Sequence, residues 1–155
     1  MSAGRPIADA EQQVQEDLAR LEAYRNQLSA MMQQYQYLGA SRADHQRARE
    51  ALEGLDRASK DAEILIPLGA DTFLRGSAAS GAKVLLGVGS GVVMEAEAPQ
   101  VSEILAQRAG KLESASKELE GQIGTLEQRI DLLQQRLEAL ARSTSQPALG
   151  DVGRD

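Results

Sequence analysis

The sequence has no cysteine and no tryptophan, and only one phenylalanine, three tyrosines, one histidine and four prolines among 155 residues. Each shortage removes a class of explanation. Without cysteine there is no disulfide, no thiolate metal site and no cysteine nucleophile, which suits a cytoplasmic chain. So few aromatic side chains leave little bulk for a globular core, so an extended molecule is expected. A formal net charge of −6 lacks the basic footprint of a nucleic-acid-binding surface. No apolar run approaches the roughly 20 residues that span a bilayer, and none follows the basic Arg5 as a secretory signal would require. His45 has no second histidine and no cysteine to complete a metal site, and it falls on a helical seam where a packed or half-exposed ring is the expected role. The carboxylates lie along charged helical stretches with cations close by, and no pair stands out as an acid–base dyad. The expectation is a chain that is not an enzyme and needs no metal or other cofactor.

What is present is organised around a short central stretch. Glu63-Ile-Leu-Ile-Pro-Leu-Gly69, Thr72-Phe-Leu-Arg-Gly76 and Lys83-Val-Leu-Leu-Gly-Val-Gly-Ser-Gly-Val-Val-Met-Glu95 are apolar runs cut by glycine, the composition of short strands with tight turns. Gly69-Ala70-Asp71 and Gly89-Ser90-Gly91 are short enough to join antiparallel neighbours, which predicts two successive hairpins. Alternation places Val84, Leu86 and Val88 on one face with Val92 and Met94, and Leu85 and Val93 on the other. Two isolated hairpins are marginal in water, and nothing else in the sequence looks able to cover them, so other subunits are expected to meet their faces and edges.

Long helical patterns flank this stretch. From Pro6 to Lys60 large residues recur every seven positions, at Ile7, Val14, Leu21, Leu28 and Tyr35, with Leu18 and Met32 as the expected companion seam. The row then steps by three to Leu38, His45 and Leu52, with Ala48 and Leu55 alongside, as a stammer would. At 1.5 Å per residue this arm is a rod of roughly 80 Å. After Pro99, leucines 105, 112, 119, 126, 133 and 140 keep a strict heptad, with Ala109, Ser116, Ile123, Ile130 and Leu137 as companions. Charges of mixed sign decorate the outside. The expected organisation is an N-terminal helix over 1–61, two hairpins over 62–98, a C-terminal helix over 99–142 and a disordered tail over 143–155.

Two glycine-rich motifs call for comparison with phosphate-binding loops. Gly87-Val-Gly-Ser-Gly91 begins like a dinucleotide fingerprint, but Val92 stands near the third glycine position and a strand follows instead of a helix. Gly76-Ser-Ala-Ala-Ser-Gly-Ala-Lys83 has Ala82 between glycine and lysine, and Val84 where a magnesium-holding hydroxyl would stand. Both read as turn and linker. The leucine heptad is preceded by Glu95-Ala-Glu-Ala-Pro99, acidic where a DNA-binding basic region would be required.

Long helix, Glu63-to-Ala70, Phe73-to-Gly76, Val84-to-Glu95, long helix: this pattern, from about Ile7 to Arg142, resembles the α-class subunit of prefoldin, and the archaeal form above the eukaryotic ones. The resemblance implies a mainly helical α+β fold, a long antiparallel two-helix coiled coil whose two central β-hairpins join an oligomeric β-barrel. It also implies an ATP-independent holdase built from two α and four β-class subunits, which captures unfolded polypeptides at its coiled-coil tips and passes them to a group II chaperonin, without nucleic acid or membrane. Ile64, Ile66, Leu68, Phe73, Val84, Leu86, Val88, Val92 and Met94 would then build the subunit contacts. A structural protein that self-assembles through its hairpins into homo-oligomers or filaments is the competing expectation.

If the arms leave the sheet side by side, facing residues should total about 160, a figure set by Ala62 and Ala98 at the sheet. Leu28 then faces Leu133, and Leu21 faces Leu140. On that register Ile7, Val14 and Leu18 have no seam partner, and Leu137 and Leu140 lie at the frayed end of the other helix. These five residues are the expected client-binding tips.

Overall fold

The computed structural model describes residues 5–58, 61–79 and 81–144. Their order is α1 (Arg5–Arg57), β1 (Ala62–Gly69), β2 (Thr72–Ala78), β3 (Val84–Gly89), β4 (Val92–Ala96) and α2 (Ala98–Thr144), a mainly helical α+β chain with two antiparallel hairpins between long helices. Of the expected tail, Ser143 and Thr144 belong to α2 and residues 145–155 lie outside the described residues. The chain divides into two compact units, Tyr37–Ser116 and Met1–Gln36 with Lys117–Asp155.

In the first unit the two hairpins share one construction. β1 and β2 pair from Ala62↔Ala78 to Pro67↔Phe73 and then jump to Gly69↔Thr72, while β3 and β4 pair from Val84↔Ala96 to Gly87↔Val93 and then jump to Gly89↔Val92. Leu68 and Val88 are the extra residues, each a bulge that bends its strand just before the turn. The loops are two residues long, Ala70-Asp71 and Ser90-Gly91, shorter than the three-residue loops expected. All four residues have positive φ, between 47° and 75°, as a type I′ turn demands. Gly69 and Gly89 absorb φ of 97° and 108° at the bulges, where a side chain would be strained. Each position of the second hairpin thus corresponds to one 20 residues earlier.

The second hairpin is anchored within its own chain. Leu86 and Ala96 are buried against Leu52 of α1 and Val101 and Leu105 of α2, with Val84 and Met94 partly buried beside them. The expectation that other subunits would cover both faces fails for this face, and the spacing explains why. Only Glu97 separates β4 from α2, so the first turns of that helix are drawn under the hairpin they follow. Glu97 also supplies the first helical acceptor, its carbonyl taking the Val101 N–H at 3.0 Å. Pro99 falls in the first turn, where its missing N–H leaves no bond unmade. Arg108 then donates from both Nη1 and Nη2 to the carbonyl oxygen of Gly87 at 3.1 Å, next to the bulge. Val88, the bulge residue itself, is exposed and does not share the covered position of Leu86. Truncating Leu86 to Ala should cost about 2–5 kcal/mol and lower the thermal unfolding midpoint. A midpoint equal to the parent's would mean that this cluster does not hold the hairpin.

In the second unit α1 and α2 run antiparallel around Leu21, Leu126, Ile130 and Leu133, with Tyr24, Leu28, Met31 and Leu137 packed against them. The heptad leucines of α2 and their companions are buried or half-buried throughout both units, as expected. The companion row of α1 is different. Leu18 and Met32 are 51% and 48% exposed, and the seam instead takes Asp17, Tyr24 and Met31. Arg25 interrupts the Leu18–Met32 row, whereas Tyr24 and Met31 give neighbouring turns an unbroken apolar contact. In the first unit the same choice leaves Ala48 and Leu55 exposed, with Arg49 half-buried in their place.

The register also differs from expectation. Asp17 meets Arg136 at 3.2 Å in one unit and Arg42 meets Glu113 at 3.6 Å in the other, so facing residues total about 155 and not 160. The helix ends fix this figure. α1 stops at Arg57, short of the sheet, whereas α2 starts at Ala98, immediately after it. Thr144 at the end of α2 therefore comes level with about residue 11 of α1.

Candidate functional site

Two apolar surfaces emerge, one on the hairpins of the first unit and one in the second unit, where the start of α1 pairs with the end of α2. On the first hairpin, Ile64 and Ile66 share a face with Leu74 and Gly76. A Cβ on Gly76 would come within 3.1 Å of Ile66 Cδ1, so the glycine makes the shelf on which that isoleucine lies. The opposite face carries Leu65, Pro67 and Phe73 with an exposed Glu63–Arg75 ion pair at 3.2 Å. Pro67 lacks the N–H that a central strand would use, so β1 suits an edge. On the second hairpin the face away from the helices carries Leu85, Gly87, Val93 and Glu95.

The residues expected to build subunit contacts divide accordingly. Ile66, Leu68, Phe73, Val88 and Val92 are exposed and Ile64 is half-buried. Val84, Leu86 and Met94 turn toward the chain's own helices instead. Sequence reasoning left out Leu65, Leu74, Leu85 and Val93 from the contact set, all of them more than half exposed. The 20-residue spacing between the hairpins, which aligns Leu65 with Leu85, would have singled out two of them. A two-stranded sheet with apolar groups on both faces and, among the described residues, no further strand on its edges is a surface suited to being covered.

Toward the distal end, Val14, Leu137 and Leu140 are half-buried at the seam and Leu18 points outward. The register of about 155 sets Val14 and Leu18 beside α2, so the expectation that they lack a facing helix is corrected. The Ile7 side chain lies outside the described residues. Leu132, which the sequence reading did not select, is 65% exposed on α2.

The remaining candidates are placed as local structure. The His45 Nδ1–H donates to the Ser41 carbonyl at 2.7 Å, one turn back along α1. Gly87–Gly91 is the end of β3 and its turn into β4. Among the described residues no three His, Cys, Asp or Glu side chains group as a metal site, and no helix is long and apolar enough to cross a membrane.

Two long helices that pair in antiparallel fashion, joined in sequence by two antiparallel apolar hairpins, define the class of a coiled-coil subunit. Comparison with known proteins gives that class a family. The model of the prefoldin subunit family matches residues 24–143, and the chain belongs to the prefoldin family. Among its relatives, the prefoldin subunit alpha of Methanopyrus kandleri is 29% identical over 73% of this chain and 74% of its own length. That of Pyrococcus horikoshii is 30% identical over 63% and 66%, and that of Archaeoglobus fulgidus 25% identical over 74% and 83%. The likeness is to archaeal alpha subunits. Two solved structures share the fold: the filamentous PFD of Methanocaldococcus jannaschii, with a TM-score of 0.64, 22% identity and coverage of 74% of this chain and 95% of that one, and the prefoldin beta subunit of Thermococcus strain KS-1, at 0.53, 20%, 87% and 95%. The chain is therefore a prefoldin chaperone subunit.

Proposed function

We propose that this chain serves in the cytoplasm as the α-class subunit of an ATP-independent holdase, without catalytic activity, in a hexamer of two α and four β-class chains. The hairpins join the β-barrel body, and the distal helices capture unfolded polypeptides for transfer to a group II chaperonin. The observation that carries the reading is the contrast between the two surfaces. The hairpin surface is dense and two-sided, as a permanent subunit contact requires, while the distal surface is sparse, with Leu18 half exposed among polar neighbours. Sparse apolar contacts on several arms hold a chain by adding weak attachments, without one tight site.

Leu18→Ser tests capture without disturbing the seam, because the side chain already points outward. The triple change of Ile7, Val14 and Leu18 to Ser extends the test to the whole distal row, with helix content checked because Val14 is half-buried. Light scattering from a denatured client diluted into the assembled complex should rise progressively through the two variants. Undiminished protection by an intact complex carrying the triple change would place capture elsewhere. Self-assembly through the hairpins into homo-oligomers or filaments, as a structural coiled-coil protein, is the second reading, favoured by opposite charges at matched hairpin positions, Arg75 against Glu95 and Glu63 against Lys83.

A further inference from the structure

We propose that Arg108 is a positioning residue for subunit assembly: by holding the Gly87 carbonyl it sets the direction in which the turn end of the second hairpin is presented to a neighbour. The proposal rests on the reading of the hairpins as assembly surfaces, and it gives a part in that role to a helix residue outside them. Val101, Leu105 and Arg108 follow one another at helical spacing along α2, so they share a face of that helix. The first two are buried in the cluster that takes Leu86 and Ala96. Arg108 lies one turn further on and reaches the strand where that cluster ends, 21 residues back in the chain.

The bond falls where the hairpin's own pairing is interrupted. Regular pairing of β3 with β4 runs to Gly87↔Val93 and resumes at Gly89↔Val92, with Val88 bulged between them. A bulge breaks the ladder and bends its strand, so two strands alone set the direction of what lies beyond it only loosely. Beyond it lie Val88 and Val92, 46% and 57% exposed, and the Ser90-Gly91 turn. Both terminal nitrogens of Arg108 donate to the one Gly87 oxygen at 3.1 Å. A charged planar fork on a single acceptor fixes angle as well as distance, which a lysine ammonium does not. The first hairpin repeats the bulge at Leu68, but among the described residues no helix side chain is hydrogen-bonded or ion-paired to it. A turn end that is held in place before a partner arrives avoids the cost of ordering it on contact.

The test compares Arg108→Gln, neutral and shorter, and Arg108→Lys with the parent full chain, alone and co-expressed with a β-class prefoldin subunit. Amide hydrogen exchange over residues 88–93 of the chain alone should quicken about tenfold in Arg108→Gln, the lower end for a charge-assisted bond that is partly open to solvent. Exchange around Leu52 and Leu105 should stay at the parent's rate, because the apolar cluster is untouched. Complex formation, read by native mass spectrometry, should weaken by a similar factor, since only the fraction with its turn end correctly set can associate. Arg108→Lys keeps the charge without the fork and should fall between. Parental exchange over 88–93, or faster exchange with parental assembly, would overturn the positioning role. Exchange that quickens equally through the whole cluster would overturn it too, making Arg108 a general stabiliser of the subunit. Changing Val88 and Val92 to Asp separates this proposal from the reading beneath it. A complex that this change abolishes and Arg108→Gln leaves whole refutes the positioning role alone. A complex that tolerates both, or a parent that forms none, refutes the assembly reading as well.

Discussion

Changing Val88 and Val92 together to Asp is expected to abolish assembly while leaving helix content unaltered. Both side chains lie near the turn of the second hairpin and are about half exposed in the isolated chain, so the change costs the single subunit little. If the hairpins form the subunit interface, as proposed, the same positions are covered there. Burying each valine contributes about 1.5–3 kcal/mol, and an unpaired carboxylate in its place adds a desolvation penalty of several kcal/mol. The two sites together outweigh a typical association energy of about 8 kcal/mol at micromolar affinity. Size-exclusion chromatography beside far-ultraviolet circular dichroism separates the outcomes. Elution at the position of the parent complex would show that the hairpin turns lie outside the subunit interface. The comparison with Leu86 is instructive, since it stands only two residues from Val88 and yet belongs to the chain's own core. Its replacement by Asp should disturb the subunit before any partner arrives.

How much of this was legible in the sequence depends on which residues speak only for themselves. The heptad leucines of α2 gave their helix and seam directly, because every one of them is apolar and the spacing admits one face. The hairpins were legible for the same reason, their glycines standing where positive φ is required. The α1 seam was ambiguous. Leu18 and Met32 offered one companion row and Tyr24 and Met31 another, and a charged residue at Asp17 argued against the row that the structure adopts. Register depended on where each helix ends, and nothing in the local pattern stops α1 at Arg57 rather than at the sheet. The fate of each hairpin face was hidden as well, since both faces are apolar. Which one the chain covers for itself is decided by the tight passage from β4 into α2 at Glu97.

Asp17 marks the largest remaining departure from an apolar seam, and its partner should govern the stability of the distal unit. The residue is only 3% exposed, one turn before Leu21, where an aliphatic side chain would be expected. Its Oδ2 lies 3.2 Å from Arg136 Nε but has no well-directed hydrogen bond, and its Oδ1 lies 3.9 Å from Arg20. An ion pair of this kind recovers much but not all of the cost of drying the carboxylate. Arg136→Leu should therefore destabilise the unit by about 3 kcal/mol, the lower end for a severed buried pair, because Arg20 remains nearby. Asp17→Leu should do the opposite and raise stability by about 1 kcal/mol or more, joining Val14 to Leu21 in an unbroken apolar row. The double replacement should resemble Asp17→Leu alone, since the arginine matters only while the carboxylate is there to be paired. A double-mutant cycle on thermal unfolding measures the coupling. A cycle in which the two single effects simply add would mean that Arg136 does not compensate the buried charge, and that hydration from the open end of the helices does.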